Sequence, residues 1–163
     1  MTGPKSILDY VYEHEAALAD QVFLTQPVGG GKVVDYTWRA MMDQSRRMAA
    51  HLGGLGLAPG ARIAMLAKNS AHFFMVDLAV WMAGRTTTAI FATETAENVR
   101  FILPLSEASL LSIGKLDTWE QQEHAAPPEV AAALPIRRTG FARKPINRSG
   151  HRCTPPPQAV GSL

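Results

Sequence analysis

Gly29-Gly30-Gly31-Lys32 has the makings of an anion site, since successive glycine N–H groups can cradle phosphate oxygens and a lysine can neutralise them. A phosphate loop also needs a glycine six positions before the lysine and a Ser or Thr after it. Gln26 and Val33 stand there instead, so the glycines read as a turn. Gly54 and Gly56 imitate part of a dinucleotide fingerprint, but they follow a helical pattern and cannot aim a helix N-terminus at pyrophosphate. They read as a helix stop. The five histidines, His14, His51, His72, His124 and His151, show no spacing with Asp, Glu or Cys suited to a metal, and read as surface residues. No Gly-x-Ser-x-Gly elbow is present for a hydrolase.

Cys153, the single cysteine, can form no internal disulfide and has no metal-ligand partner at useful spacing. Met41, Met42, Met48, Met65, Met75 and Met82 could line a soft acyl-binding surface, yet their helical or strand spacing is that of core packing. Arg46-Arg47 reads as a solvated helix face. The sequence thus assigns no catalytic, cofactor-binding or metal residue.

Charge divides the chain in two. Up to Glu129 there are ten Lys and Arg against fourteen Asp and Glu; after it come six Lys and Arg and no acid. Such a tail could attract phosphate groups, but no aromatic residues interleave with its arginines and no nucleic-acid-binding motif accompanies them. Nucleic acid is set aside as a partner. The N-terminus is no signal peptide, and the run Phe73 to Ala83 is far short of the roughly 20 residues that span a bilayer. The expected compartment is the cytoplasm, where Asn147-Arg148-Ser149 meets no glycosylation machinery.

The elements that would position these residues follow from periodicity. Ser6 caps a helix carrying Ile7, Leu8 and Val11 that ends near Asp20. Val22 to Gln26 and Val33 to Thr37 form a hairpin around Pro27, the three glycines and Lys32. Thr37 caps a helix with Met41, Met42, Ser45, Met48, Ala49, Leu52 and Leu55 on one face, which Gly56 stops. A strand from Arg62 to Leu66, a helix from Ala71 to Ala83 capped by Asn69 or Ser70, a strand from Thr86 to Ile90, a helix through Ala96, Val99, Ile102 and Leu103, and a strand from Leu110 to Ile113 then alternate. Such alternation predicts an α/β fold with a parallel sheet covered by helices. Residues 1–123 form the ordered part, and 124–163 a linker or disordered tail rich in Ala, Pro and Arg.

Tyr36-Thr37-Trp38, the run Gly56-Leu57-Ala58-Pro59-Gly60-Ala61-Arg62-Ile63-Ala64, Lys68-Asn69-Ser70, Trp81-Met82-Ala83-Gly84, Thr95 to Arg100 with Ile102-Leu103, and Gly114-Lys115-Leu116-Asp117 with Trp119 together resemble the N-terminal region of AMP-forming acid-CoA ligases. The long-chain fatty acid branch is the nearest. The likeness runs from Tyr10 to Glu123, carried by the order and spacing of these pieces of fold punctuation. It departs at Ala89 and Ala92, where the family usually has Pro, and at Arg85 and Thr86, which replace small or apolar residues.

The resemblance implies an enzyme that uses ATP and magnesium to join a carboxylic acid to AMP and then passes the acyl group to coenzyme A. That chemistry needs a Gly- and Ser/Thr-rich phosphate loop, a Glu holding magnesium, an Asp on the ribose and a mobile Lys. None of these follows Glu123. The expectation is a ligase cut off before its catalytic motifs, silent by itself, whose partner is the rest of the ligase domain. A non-enzymatic module using its basic tail for anionic partners is the alternative. The tail also invites a frameshift reading near Pro135, since dropping one nucleotide from Ile136 onward permits Phe-Val-Ala-Leu-Ala-Leu-Pro, a buried strand suited to a parallel sheet.

Overall fold

The computed structural model describes residues 3–114 and 116, together with the backbone of 131–135. Helix α1 (Ile7–Leu18) opens on a reciprocal cap. Ser6 Oγ accepts from the Asp9 N–H at 3.2 Å, and the Asp9 carboxylate accepts from the Ser6 N–H at 2.7 Å. Strands β1 (Val22–Gly29) and β2 (Lys32–Thr37) pair antiparallel, with Gly29 opposite Lys32. The turn is therefore the two residues Gly30-Gly31, shorter than the loop read from the sequence. Both have positive φ, at 60° and 70°, which the twist of a two-residue hairpin favours.

Helix α2 (Trp38–Gly53) starts where Thr37 Oγ1 accepts from the Ala40 N–H at 3.2 Å. Its C-cap is Gly54, whose N–H reaches the Ala50 and His51 carbonyls, two residues before the glycine chosen from sequence. Gly56 lies in the following turn at φ 69°.

Strand β3 (Arg62–Ala67) is the axis of the sheet. After helix α3 (Ala71–Met82), strand β4 (Thr86–Phe91) pairs on one side of β3. After helix α4 (Ala96–Leu105), strand β5 (Ala108–Ile113) pairs on its other side. With a last strand, β6 (Ala131–Pro135), the order is β4-β3-β5-β6, all parallel. This outermost strand falls inside the segment read from sequence as linker or disorder. A run of alanines shows no alternation, so only its ladder with β5 defines it as a strand.

Because β4 and β5 lie on opposite sides of β3, the two connecting helices cover opposite faces, and the side chains of β3 alternate between them. Ile63 and Met65 pack with Met48 and Leu52 of α2, Val76, Ala79 and Val80 of α3, and Leu110 of β5. Ala64 and Leu66 point the other way, to Val99 and Leu103 of α4, Ile90, Leu111 and Ile113. A third cluster, built on Trp38, Met41, Met42, Met75 and Leu78, joins α2 to α3, with Leu24 and Tyr36 of the hairpin resting against it. Met41, Met42, Met48, Met65 and Met75 are all buried, so the methionine stripe is core packing.

Helix α4 continues two residues past Leu103 and carries Pro104 within it. A proline so close to the end costs little, because the chain leaves the helix at once. The Ser106 N–H bonds the Ile102 carbonyl at 2.8 Å, and Glu107 turns out at φ 52°, a left-handed position usually given to glycine. Among the described residues, no helix is long and apolar enough to cross a membrane.

Candidate functional site

Where the C-terminal ends of β3 and β5 meet the start of α3, the hairpin folds over and leaves an open cavity of about 270 Å³. In parallel sheets, ligands gather beyond the C-terminal strand ends, near strands whose following helices leave to opposite faces, as those of β3 and β4 do. Ala67 and Gly114 form the cavity floor; Gln26, Val34 and Tyr36 come from the hairpin, and Ser70, His72 and Phe73 from α3.

The wall is fixed by contacts between elements far apart in sequence. Gln26 reaches from β1 to α3, where its Oε1 accepts from the Ala71 N–H at 2.8 Å while its Nε2 donates to the Pro27 carbonyl at 2.8 Å. Ser70 Oγ accepts from the Phe73 N–H at 3.2 Å. Two donors of the first turn of α3 are thus satisfied by side chains from within the protein. The rings of Tyr36 and His72 meet edge to face, with centroids 5.9 Å apart. This wall offers apolar contact with a phenol and an imidazole at its rim, a recess suited to holding a small group.

The residues weighed in the sequence fall elsewhere. Gly29 to Gly31 form the hairpin tip, and Gly54 terminates α2. His14 lies on α1 against Trp38, with ring centroids 5.4 Å apart, and His51 is exposed in the last turn of α2. His72, read as a surface histidine, lines the cavity instead; only the approach of the hairpin, which no local pattern announces, puts it there. Arg46 and Arg47 are exposed on α2, as read from the sequence; Arg46 also forms a two-pronged pair with Glu15 of α1, while Arg47 pairs along its own helix with Asp43 at 2.8 Å. His124, His151, Cys153 and the arginines after Glu129 lie outside the described residues.

ATP and magnesium find no fit among the described residues. No three His, Cys, Asp or Glu side chains gather as metal ligands. The three-glycine turn links two strands rather than a strand and a helix. The first turns of α2, α3 and α4 are each capped by a hydroxyl, from Thr37, Ser70 and Thr95. No adenylation step is derived from these residues.

Comparison with known proteins gives this arrangement a family. Over 101 residues the chain is 33% identical to the long-chain-fatty-acid–CoA ligase FadD15 of Mycobacterium bovis, a stretch that covers 62% of this chain and 17% of that protein. It is 32% identical over 83 residues to the uncharacterized protein Rv1549 of Mycobacterium tuberculosis, covering 51% of this chain and 46% of that one. The chain therefore matches less than half the length of either relative. In fold it is similar to the anthranilate CoA ligase AuaEII, whose crystal structure holds anthranoyl-AMP: the TM-score is 0.70 at 16% identity, over 83% of this chain and 26% of the other. The family model described as AMP-binding enzyme matches residues 12–156, beyond the Glu123 limit of the likeness read from motifs. With nearly its whole length matched, the chain belongs to the AMP-binding enzyme family of adenylate-forming ligases.

Proposed function

We propose that this chain builds the first α/β lobe of a ligase that uses ATP and magnesium to join a fatty acid to AMP and then passes the acyl group to coenzyme A. The observation that carries this reading is the family match over residues 12–156, supported by the likeness to FadD15. Within such an enzyme the lobe's work is scaffolding. The described residues build a doubly covered sheet and a small recess but no site for triphosphate or metal. In this reading the lobe of described residues by itself forms no acyl-adenylate.

The partner in this reading is the remaining part of a ligase domain, which would meet the free edge of β4 and the outer side of α4. Phe91, Phe101 and Leu105 are exposed there, at 77%, 69% and 70%. The cytoplasm is the compartment proposed with it.

Acid-dependent exchange of pyrophosphate into ATP tests both halves. The purified chain is expected to give background exchange with fatty acids; exchange well above a mock preparation would overturn its silence. Supplied together with the remaining part of a related long-chain ligase, the chain is expected to restore exchange. Failure to do so, where that ligase's own first lobe succeeds, would overturn the assignment to such an enzyme.

A further inference from the structure

Helix α1 is attached unlike the other helices. None of its twelve residues is buried. Leu8, Val11 and Leu18 rest half-buried on the cluster of Trp38, Met41, Met42 and Met75, whose three methionines are fully buried. The C-terminal end of α1 is tied down by backbone. The Trp38 N–H donates to the Gln21 carbonyl at 3.1 Å, and the Arg39 N–H to the Ala19 carbonyl at 3.0 Å. Arg39 also holds Asp20 at 3.1 Å. Among the described residues, the body of the helix has one strong polar tie to α2. Arg46 Nη1 donates to Glu15 Oε1 at 2.7 Å, and Nη2 donates to Oε2 of the same carboxylate. The side chain of Glu15 is only 17% exposed, so the fork closes over part of the helix–helix seam.

We propose that α1 is a hinged strap, latched by Glu15 and Arg46, that swings off about Ala19–Gln21 and bares the Trp38–Met41–Met42 surface while the sheet stays folded. No residue of α1 is itself buried, whereas α3 carries six, so opening α1 exposes less apolar surface than opening α3 does and has the lower local unfolding free energy. Twelve residues are too few to stay helical in water once released, so opening and melting of the strap coincide. The latch is ionic and borders solvent, so added salt loosens it, whereas the apolar clusters on the sheet do not respond in that way.

Amide hydrogen exchange of the full chain tests the strap. At low salt, amides of α1 are expected to exchange much faster than those of α3 and β3. Raising sodium chloride to about 1 M, where screening reaches within ~3 Å, is expected to accelerate α1 alone. Arg46→Met keeps the aliphatic stem but removes the fork, and should accelerate α1 about fivefold with α3 and β3 unchanged. Arg46→Lys, which keeps charge but cannot make two parallel bonds, should fall between. Protection of α1 equal to that of α3 and β3 overturns the proposal, and so does acceleration of all three together in Arg46→Met. Should that variant fail to fold, the salt series on the unaltered chain decides: an α1-to-α3 exchange ratio independent of salt overturns the strap.

Discussion

Ser112 stands in the middle of β5 at 1% exposure, and its hydroxyl has no partner among the described residues. A buried donor without an acceptor costs about 1–3 kcal/mol, so Ser112→Ala should leave the melting temperature unchanged or raise it. A clear loss of stability in that variant would show that the hydroxyl is satisfied in solution. Asp9 shows the opposite situation at the surface. Its hydrogen bonds from Ser6 hold the carboxyl below the ordinary aspartate value of 3.8. A depressed folded pKa stabilises the folded state fully above the unfolded value, and the contribution is lost as pH falls through the folded one. Amides at the start of α1 should therefore lose protection below about pH 3.8, before those of α3, and Asp9→Asn should flatten that response. Arg85, where the sequence departs from its family, donates to the Leu57 carbonyl at 2.7 Å and so joins the loop before β3 to the loop before β4.

At the scale of elements, the two faces of β3 give a sharp contrast with exposed positions. Ile63 is fully buried between α2 and α3, so Ile63→Ala should cost about 2–5 kcal/mol in chemical denaturation, whereas Phe101→Ala on the outer side of α4 should stay within about 0.5 kcal/mol. Similar losses for the two would mean that α4 is covered in solution. The contrast also explains what could be read in advance. Thr37 and Ser70 announce their helices because a cap is a local event, a hydroxyl within three residues of the N–H it serves. The alternation of strands and helices from Arg62 to Ile113 was legible for the same reason. The end of α4 and the start of β5 were not, because Pro104 suggests a stop and Glu107 gives no sign of its left-handed turn. The cavity was invisible. Gln26, Tyr36 and His72 lie on three elements, and only the docking of the hairpin on α3 brings them to one rim.

At the scale of the whole molecule, apolar surface is unevenly covered. β4 forms one edge of the sheet and carries no charge, and Phe91 at its end is among the most exposed large residues of the chain. Natural edges are usually blunted by charge, proline or a covering segment. Isolated preparations should therefore bind a hydrophobic dye and associate with rising concentration, and Phe91→Lys should reduce both. A monodisperse chain that ignores the dye would show that this edge is closed in solution. The frameshift reading of the basic tail is a matter of nucleotides: translating the gene one base out of frame from the codon of Ile136 should give an apolar strand and, downstream, a glycine- and threonine-rich loop. A shifted frame without that loop removes the reading.

The order in which strands join the sheet has a consequence for synthesis. β3, the central strand, leaves the ribosome first; β4 adds to one flank and β5 to the other, so neither must wait for a segment made much later. Arg62 pairs with Thr86 and Ala108, partners 24 and 46 residues downstream. At translation rates of about 5–20 residues per second, the chain through Pro135, the end of the outermost strand, is complete in roughly 7–27 seconds, and domains generally fold as units while the chain behind them is still being made. The lobe can thus be a finished surface when later residues emerge, a template on which they assemble rather than a participant in their search.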